Sequence, residues 1–319
     1  MRAEVYRHSG RISVLGLLLM LIAGFATALV GGVVYTYIVS WIPIIYVNVI
    51  ATMGFGAVIG FVVGNCSRLG KVRNNAILIL LTLGTSMLAL YVAWIFDCLA
   101  RFGFSDGALL WHPLDLQHYI SMFYKEGFWS MGRNEESMVS GLFLGAIWLA
   151  EAAAIIGISI AVAWGTTAAL PFCEYCDCWT DRTTSICRLA WQQPSAEPEL
   201  GVELSSGDLT ALQQYVSMPQ VVDGGLRIDI CKCPSCDQST YVTVGRVKLS
   251  YDKNGAEQIR TTNLITNQQI GPEQLEFLTN LGQTSDQSFV VAEEVTAELA
   301  DDDFMDGFEP PQRGGEYRT

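Results

Sequence analysis

Seven of the nine cysteines fall in the second half of the chain, and four of them form two short pairs. Cys173-Glu-Tyr-Cys176 is the first pair and Cys233-Pro-Ser-Cys236 the second, with 56 residues between them. Two Cys-x2-Cys turns are the sequence form of a tetrahedral site in which four thiolates hold a zinc ion. The short turn turns successive backbone N–H groups toward the sulfurs, and the thiolates balance the charge of the ion. Cys173, Cys176, Cys233 and Cys236 are therefore the expected metal ligands. Cys178 and Cys231 each lie two residues from a pair and are alternates, and Cys187 follows on the first side. A swapped ligand, an iron–sulfur site or reversible thiol chemistry stays open on these residues. Cys66 and Cys98 stand alone at the ends of apolar runs and read as small apolar residues.

The paired knuckles, one of them in the form Cys-Pro-x-Cys, resemble a zinc ribbon. The resemblance covers the knuckles and adjoining strands. It implies a structural Zn2+ and a knuckle–strand–hairpin order. Compact ribbons keep their pairs about 15–20 residues apart, so the longer spacing here requires a segment that loops out. As a whole the chain resembles bacterial inner-membrane proteins with a few spans and a cytosolic zinc-ribbon module, an architecture that carries no function with it.

The elements that must position these cysteines follow from composition. Of 319 residues, 50% are hydrophobic and only 16% charged, against about a quarter charged in an ordinary soluble domain. The charge is uneven: residues 1–165 carry 9 basic and 8 acidic side chains, residues 166–319 carry 10 and 24. This acidic balance opposes nucleic-acid binding. Four runs are long and apolar enough to cross a bilayer: about Val14 to Val39, Ile42 to Val63, Ala76 to Cys98, and Val139 to Trp164. Arg2, Arg7 and Arg11 precede the first run, and Arg68, Lys71 and Arg73 lie between the second and third. The turn from Ser40 to Pro43 has no basic residue. The positive-inside rule then places both termini in the cytoplasm of a cell inner (plasma) membrane protein. A competing reading is a cleaved signal peptide ending near Ala26-Thr27-Ala28, but the apolar run continues to Val39.

Within the spans, small residues recur every four positions: Gly24, Ala28 and Gly32; Gly56, Gly60 and Gly64; Ala153, Gly157, Ala161 and Gly165. They imply close helix packing in one bundle, self-association through an exposed glycine face, or contact with a membrane-protein partner. Glu151 lies mid-span, where a carboxylate must be neutral or paired. Asn48 is the expected neighbour. Glu151 is either a hydrogen-bonded structural acid or a group that handles ions. The loop 102–138 is rich in aromatics, including Phe104, Trp111, Tyr119, Phe123 and Phe128. A helix starting at Pro113, with Leu116, Tyr119, Ile120 and Phe123 as its stripe, would lie in the outer interface. His112, Asp115 and His118 on it form a weak outer-face candidate for metal or proton chemistry.

The fold class is thus a four-span helical bundle (1–165), a small cytosolic α+β zinc-ribbon-like domain (166–282) and a disordered acidic tail (283–319). In the middle part, a helix is expected over Asp208 to Val216, strands over Leu226 to Ile230, Thr240 to Tyr251 and Gln258 to Thr266, and a helix from Pro272 to about Leu281. Asp252-Lys-Asn-Gly255 supplies the hairpin turn. This half contains no histidine, so a hydrolase or transferase site is not expected. The tail carries 10 acidic and 2 basic residues and interleaves Phe304, Met305 and Phe308 with acids, a composition for disorder or for a docking motif. A membrane-anchored interaction protein is the leading expectation. A transport or channel component using Glu151, and a redox or metal sensor, are the alternatives.

Overall fold

The computed structural model describes residues 4–42, 44–102, 112–127, 129–130, 138–167, 170–191, 197–217, 223–236, 238–253 and 256–281. The acidic tail with Phe304, Met305 and Phe308 lies outside the described residues, as do Phe104, Trp111 and Phe128. The chain divides into two compact units, Arg7–Trp179 and a second formed by residues 4–6 with those from Thr180 onward.

The first unit is helical: α1 (Val14–Trp41), α2 (Ile45–Leu69), α3 (Asn75–Phe102), α4 (Pro113–Glu126) and α5 (Gly141–Thr167), with two residues each in β1 (Trp129–Ser130) and β2 (Met138–Val139). Among the described residues four helices are long and apolar enough to cross a membrane: α1, α2, α3 and α5. This is a multi-pass membrane protein. Side chains such as Leu18, Ile22, Ile50, Phe61, Leu80 and Leu149 are exposed on these helices, as a lipid-facing belt requires.

Apolar contact between helices gains little in lipid, so helices associate where backbones can approach and polar groups can bridge. α2 meets α5 along its glycine stripe. A Cβ at Gly56 would come within 2.8 Å of the Ile155 carbonyl oxygen, and one at Gly60 would overlap the Ser159 carbonyl. The Ser159 hydroxyl crosses back to donate to the Gly56 carbonyl at 2.9 Å. α1 meets α3 in the same way: a Cβ at Gly32 would lie 2.9 Å from Val92 Cγ1, and Thr36 donates to the Ala93 carbonyl at 2.9 Å. The third small-residue stripe behaves differently. Ala153, Gly157, Ala161 and Gly165 face outward, and a Cβ at Gly157 or Gly165 meets nothing within 4 Å. α5 packs through Ile155, Ser159 and Ala163 instead. Helix α4 begins at Pro113 as expected, but Leu116 is buried against Ile95, Cys98 and Leu99, so its apolar stripe packs on α3.

Two strands, β3 (Phe172–Cys173) and β4 (Cys178–Trp179), pair antiparallel as a small hairpin closing this unit.

The second unit is an antiparallel five-stranded sheet of order β6-β5-β7-β8-β9. Its strands are β5 (Asp181–Trp191), β6 (Tyr215–Ser217), β7 (Leu226–Lys232), β8 (Thr240–Tyr251) and β9 (Glu257–Gln269). Residues 4–6 add to the β9 edge: Tyr6 N–H donates to the Asn267 carbonyl and Gln269 N–H to the Glu4 carbonyl, both at 2.9 Å. Helix α6 (Glu197–Ser206) and a helix α7 over 272–281 cover the sheet, and Leu204, Leu212, Leu226, Ile228, Val242, Val244 and Leu278 form one core.

The strands β7, β8 and β9 and helix α7 fall where the alternation and Pro272 place them. Two elements differ from expectation. The helix expected over Asp208 to Val216 lies earlier, as α6, which stops at Gly207 with φ at +96°, a conformation glycine adopts freely at a helix C-terminus. Asp208 then accepts from both the N–H and the hydroxyl of Thr210, at 2.9 and 2.5 Å, in a local turn. Thr210–Gln214 form a 3-10 turn leading into β6. The long strand β5 has no counterpart in the sequence pattern, because a bulge between Thr183 and Cys187 breaks its alternation. Buried Asp229 on β7 holds that bulge. It accepts from Ser185 N–H at 2.8 Å and from Arg182 and Arg227 at 2.9 Å each. Burial pushes the Asp229 carboxyl up, but the Ser185 N–H and the Arg227 and Arg182 guanidiniums outweigh it and hold the group below the usual carboxylate range.

Gly60→Val should force α2 and α5 apart and lower the unfolding temperature of the detergent-solubilised protein by several degrees, an overpacking cost of about 1–3 kcal/mol. Gly157→Val, on the outward face, should leave that temperature within a degree or so. In Asp229→Asn, denaturant unfolding of the sheet unit at pH 7 should show a loss of about 1–3 kcal/mol. A depressed folded-state pKa contributes stability above the unfolded value of about 3.9, and that stability is lost as pH falls through the folded value. Between pH 5 and pH 3 the natural chain should therefore lose more stability than the variant.

Candidate metal centre and an intramembrane carboxylate

The Sγ atoms of Cys173, Cys176, Cys233 and Cys236 all lie within 4.8 Å of one another. Cys173 and Cys233 are fully buried, while Cys176 and Cys236 are half-buried. Each knuckle turns a backbone N–H onto its first sulfur: Cys176 N–H toward Cys173 Sγ and Ser235 N–H toward Cys233 Sγ, both at 3.4 Å. Such bonds support a thiolate charge. Sulfurs about 2.3 Å from a central ion sit about 3.8 Å apart at the corners of a tetrahedron, which this cluster accommodates. Four converging sulfurs, two of them fully buried and receiving a backbone N–H each, fit a metal ion.

Local structure explains each knuckle. In the first, β3 and β4 place Cys173 opposite Cys178, and Asp177 takes φ of +51° to close the turn. The second leaves the end of β7, and Cys233 N–H donates to the Ser239 carbonyl at 3.0 Å as the chain turns into β8.

The first knuckle also rests on the short connection between α2 and α3. Trp179 Nε1 donates to the Arg68 carbonyl at 2.8 Å, and Lys71 Nζ pairs with Asp177 at 2.7 Å. Arg73, only 9% exposed, pairs with Glu174 and stacks over the Phe172 ring at 4.2 Å. Arg11 reaches the same Glu174 at 3.6 Å. The Lys71 hydrogen bond and charge hold Asp177 below the usual carboxylate range. Burial opposes ionisation of Glu174, but Ser9 and Arg73 prevail and lower it too. The basic residues read from sequence as a topology signal thus also anchor the knuckle.

The alternates stand apart from the quartet. Cys178 is outside the group that converges. Cys231 is buried in β7, and burial pushes its thiol up. Cys187 belongs to the sheet core.

Glu151 does not pair with Asn48. Its Oε1 accepts a hydrogen bond from the Tyr35 hydroxyl of α1, and Tyr35 Oη lies 3.1 Å from Thr52 Oγ1 of α2. Thr52 in turn donates to the Asn48 backbone carbonyl at 2.8 Å, while Asn48 Oδ1 makes no hydrogen bond. The sequence signal that would have found Tyr35 is its position on the Ala28–Gly32 side of α1, the side buried in the bundle. His112 Nδ1 and Asp115 Oδ2 are 3.9 Å apart at the exposed start of α4. His118 does not join them in a three-ligand group among the described residues.

No family model, curated protein or solved structure matches this chain.

Elemental analysis of the purified full-length protein should return about one tightly held metal ion per chain, the stoichiometry of a closed four-ligand site. Changing any of Cys173, Cys176, Cys233 or Cys236 to serine should release it. Cys178→Ser and Cys231→Ser should retain it, and loss of metal in either would reassign the ligands.

Proposed function

We propose that this chain is a membrane-anchored interaction protein, in which four spans hold a zinc-bearing cytosolic domain at the inner membrane surface and the acidic tail docks partners. The observation that carries the reading is the closed quartet of Cys173, Cys176, Cys233 and Cys236. Four protein ligands leave no coordination position for a substrate, so the ion is structural and the domain a rigid platform. An all-thiolate set of ligands selects zinc over harder ions.

Two observations support a cytoplasmic N-terminus and C-terminal half. Residues 4–6 pair with β9, which supports a start of the chain and a sheet on one side of the bilayer. Arg11, Arg68, Lys71 and Arg73 flank the spans that precede and follow them, the charge pattern the positive-inside rule assigns to a cytoplasmic face. A thiolate metal site suits that reducing compartment.

A second reading is favoured by one specific feature, the Glu151 carboxylate set in the bundle against Tyr35. Ionisable groups at such a depth are costly and mark ion or substrate sites. It makes the spans a small transport component as well as an anchor.

The docking role is tested by cross-linking in cells, followed by purification of the tagged full chain and of a chain ending at Leu281. The full chain should recover a discrete cytosolic protein that the truncated chain loses. Equal recovery by both would remove the tail from the mechanism.

A further inference from the structure

Inside the helical unit, α1, α3 and α5 enclose a partly open cavity of about 130 Å³. Its walls include Tyr35, Trp94, Asp97, Trp148 and Glu151. Trp94 and Trp148 meet edge to face with ring centroids 4.9 Å apart. The rest of the lining is mainly apolar.

The two carboxylates are not equivalent. Asp97 lies near the end of α3 and is already matched: Arg101 donates to it at 2.9 and 3.4 Å, and the Ser40 hydroxyl at 3.2 Å. Arg101 also stacks toward Phe123 at 5.7 Å, which fixes its position. Glu151 receives the Tyr35 hydroxyl, and among the described residues no Lys, Arg or His forms an ion pair with it. Among the described residues, one carboxylate of the cavity, Glu151, is therefore without a counter-charge, beside two indoles.

We infer that this cavity binds a small organic monocation of the alkylammonium class, with Glu151 as counter-ion and Trp94 and Trp148 as aromatic walls. A carboxylate in a span is stabilised when it is neutral or paired, and a bound cation supplies the pair. Asp97 is neutralised by Arg101, so the charge to be matched is a single one. The walls select the kind of cation. Hard metal ions demand many oxygen ligands, and this cavity offers mainly apolar surface. Ammonium groups carrying methyl groups are weakly hydrated and favour indole faces, which attract cations through the ring quadrupole. The Tyr35 hydroxyl positions the carboxylate, and the Thr52 contact in turn braces Tyr35. The inference goes beyond the docking role. It shares only its location with the transport reading.

The test uses the full-length protein in lipid nanodiscs and two probes, choline and its neutral carbon isostere 3,3-dimethylbutan-1-ol. Isothermal titration should show saturable choline binding in the millimolar range or tighter. The isostere should bind at least tenfold more weakly, because it fills the same space without charge. This comparison needs no variant. Glu151→Gln should lose at least tenfold in choline affinity, and Trp148→Leu, which leaves the charge in place, should weaken it several-fold. Retained helical circular dichroism and elution volume show that each variant is folded. Equal binding of the two probes, no choline binding, or unchanged affinity in folded Glu151→Gln would overturn the inference. Choline binding without any flux of choline or protons across liposomes would uphold it while removing the transport reading. Glu151-dependent flux without choline binding would do the reverse.

Discussion

Apolar helices in lipid exchange one apolar neighbour for another, so the helical unit depends on how closely its backbones can approach. Gly56 and Gly60 let α2 lie against the carbonyls of Ile155 and Ser159, and Gly24 and Gly32 let α1 lie against α3. Close approach permits the short cross-helix bonds, Ser159 to Gly56 and Thr36 to Ala93. It also sets the remaining geometry. With α2 tight on α5 and on α1, Tyr35, Thr52 and Glu151 fall within one hydrogen-bonded group. Where the helices diverge from that contact, α1, α3 and α5 leave a cavity with Glu151 on its wall.

A different constraint governs the knuckle that follows α5. A two-residue-per-strand hairpin cannot hold itself in water. Here the α2–α3 connection holds it through an indole N–H to a carbonyl, two carboxylate pairs and a guanidinium stacked on Phe172. Glu174 and Asp177, the acidic residues beside the ligand cysteines, are the ones engaged. The pairing is local and polar, and most of it is solvent-exposed, so its energy is modest pair by pair. Its effect is positional: it presents Cys173 and Cys176 with their sulfurs converging, and a metal ion held there would supply the larger part of the free energy.

In the sheet unit, one buried charge takes on the equivalent organising role. Asp229 satisfies the N–H freed by the β5 bulge and pairs with both Arg182 and Arg227. The acid is costly to bury, and its three donors offset that cost. It also explains why β5 escapes periodicity. A bulge shifts the register, so residues on either side of it no longer share an alternating pattern.

The sequence alone determined whatever depends on local periodicity or on fixed spacing. Four apolar runs of bilayer length became four helices, alternation placed β8 and β9, Pro272 opened α7, and each Cys-x2-Cys pair became a knuckle. Each of these follows from nearest-neighbour geometry, in which a 3.6-residue or two-residue period, or a short turn, is written in consecutive residues. Only the tertiary structure decided which small-residue stripe is buried, and it turned Gly157 and Gly165 outward while burying Gly56 and Gly60. It replaced Asn48 with Tyr35 as the partner of Glu151, residues 116 positions apart. It gave the basic α2–α3 connection a second role beneath the first knuckle, and it built β5 around Asp229. These outcomes rest on contacts between distant segments. A period identifies a face, but only the packed neighbour decides what that face meets.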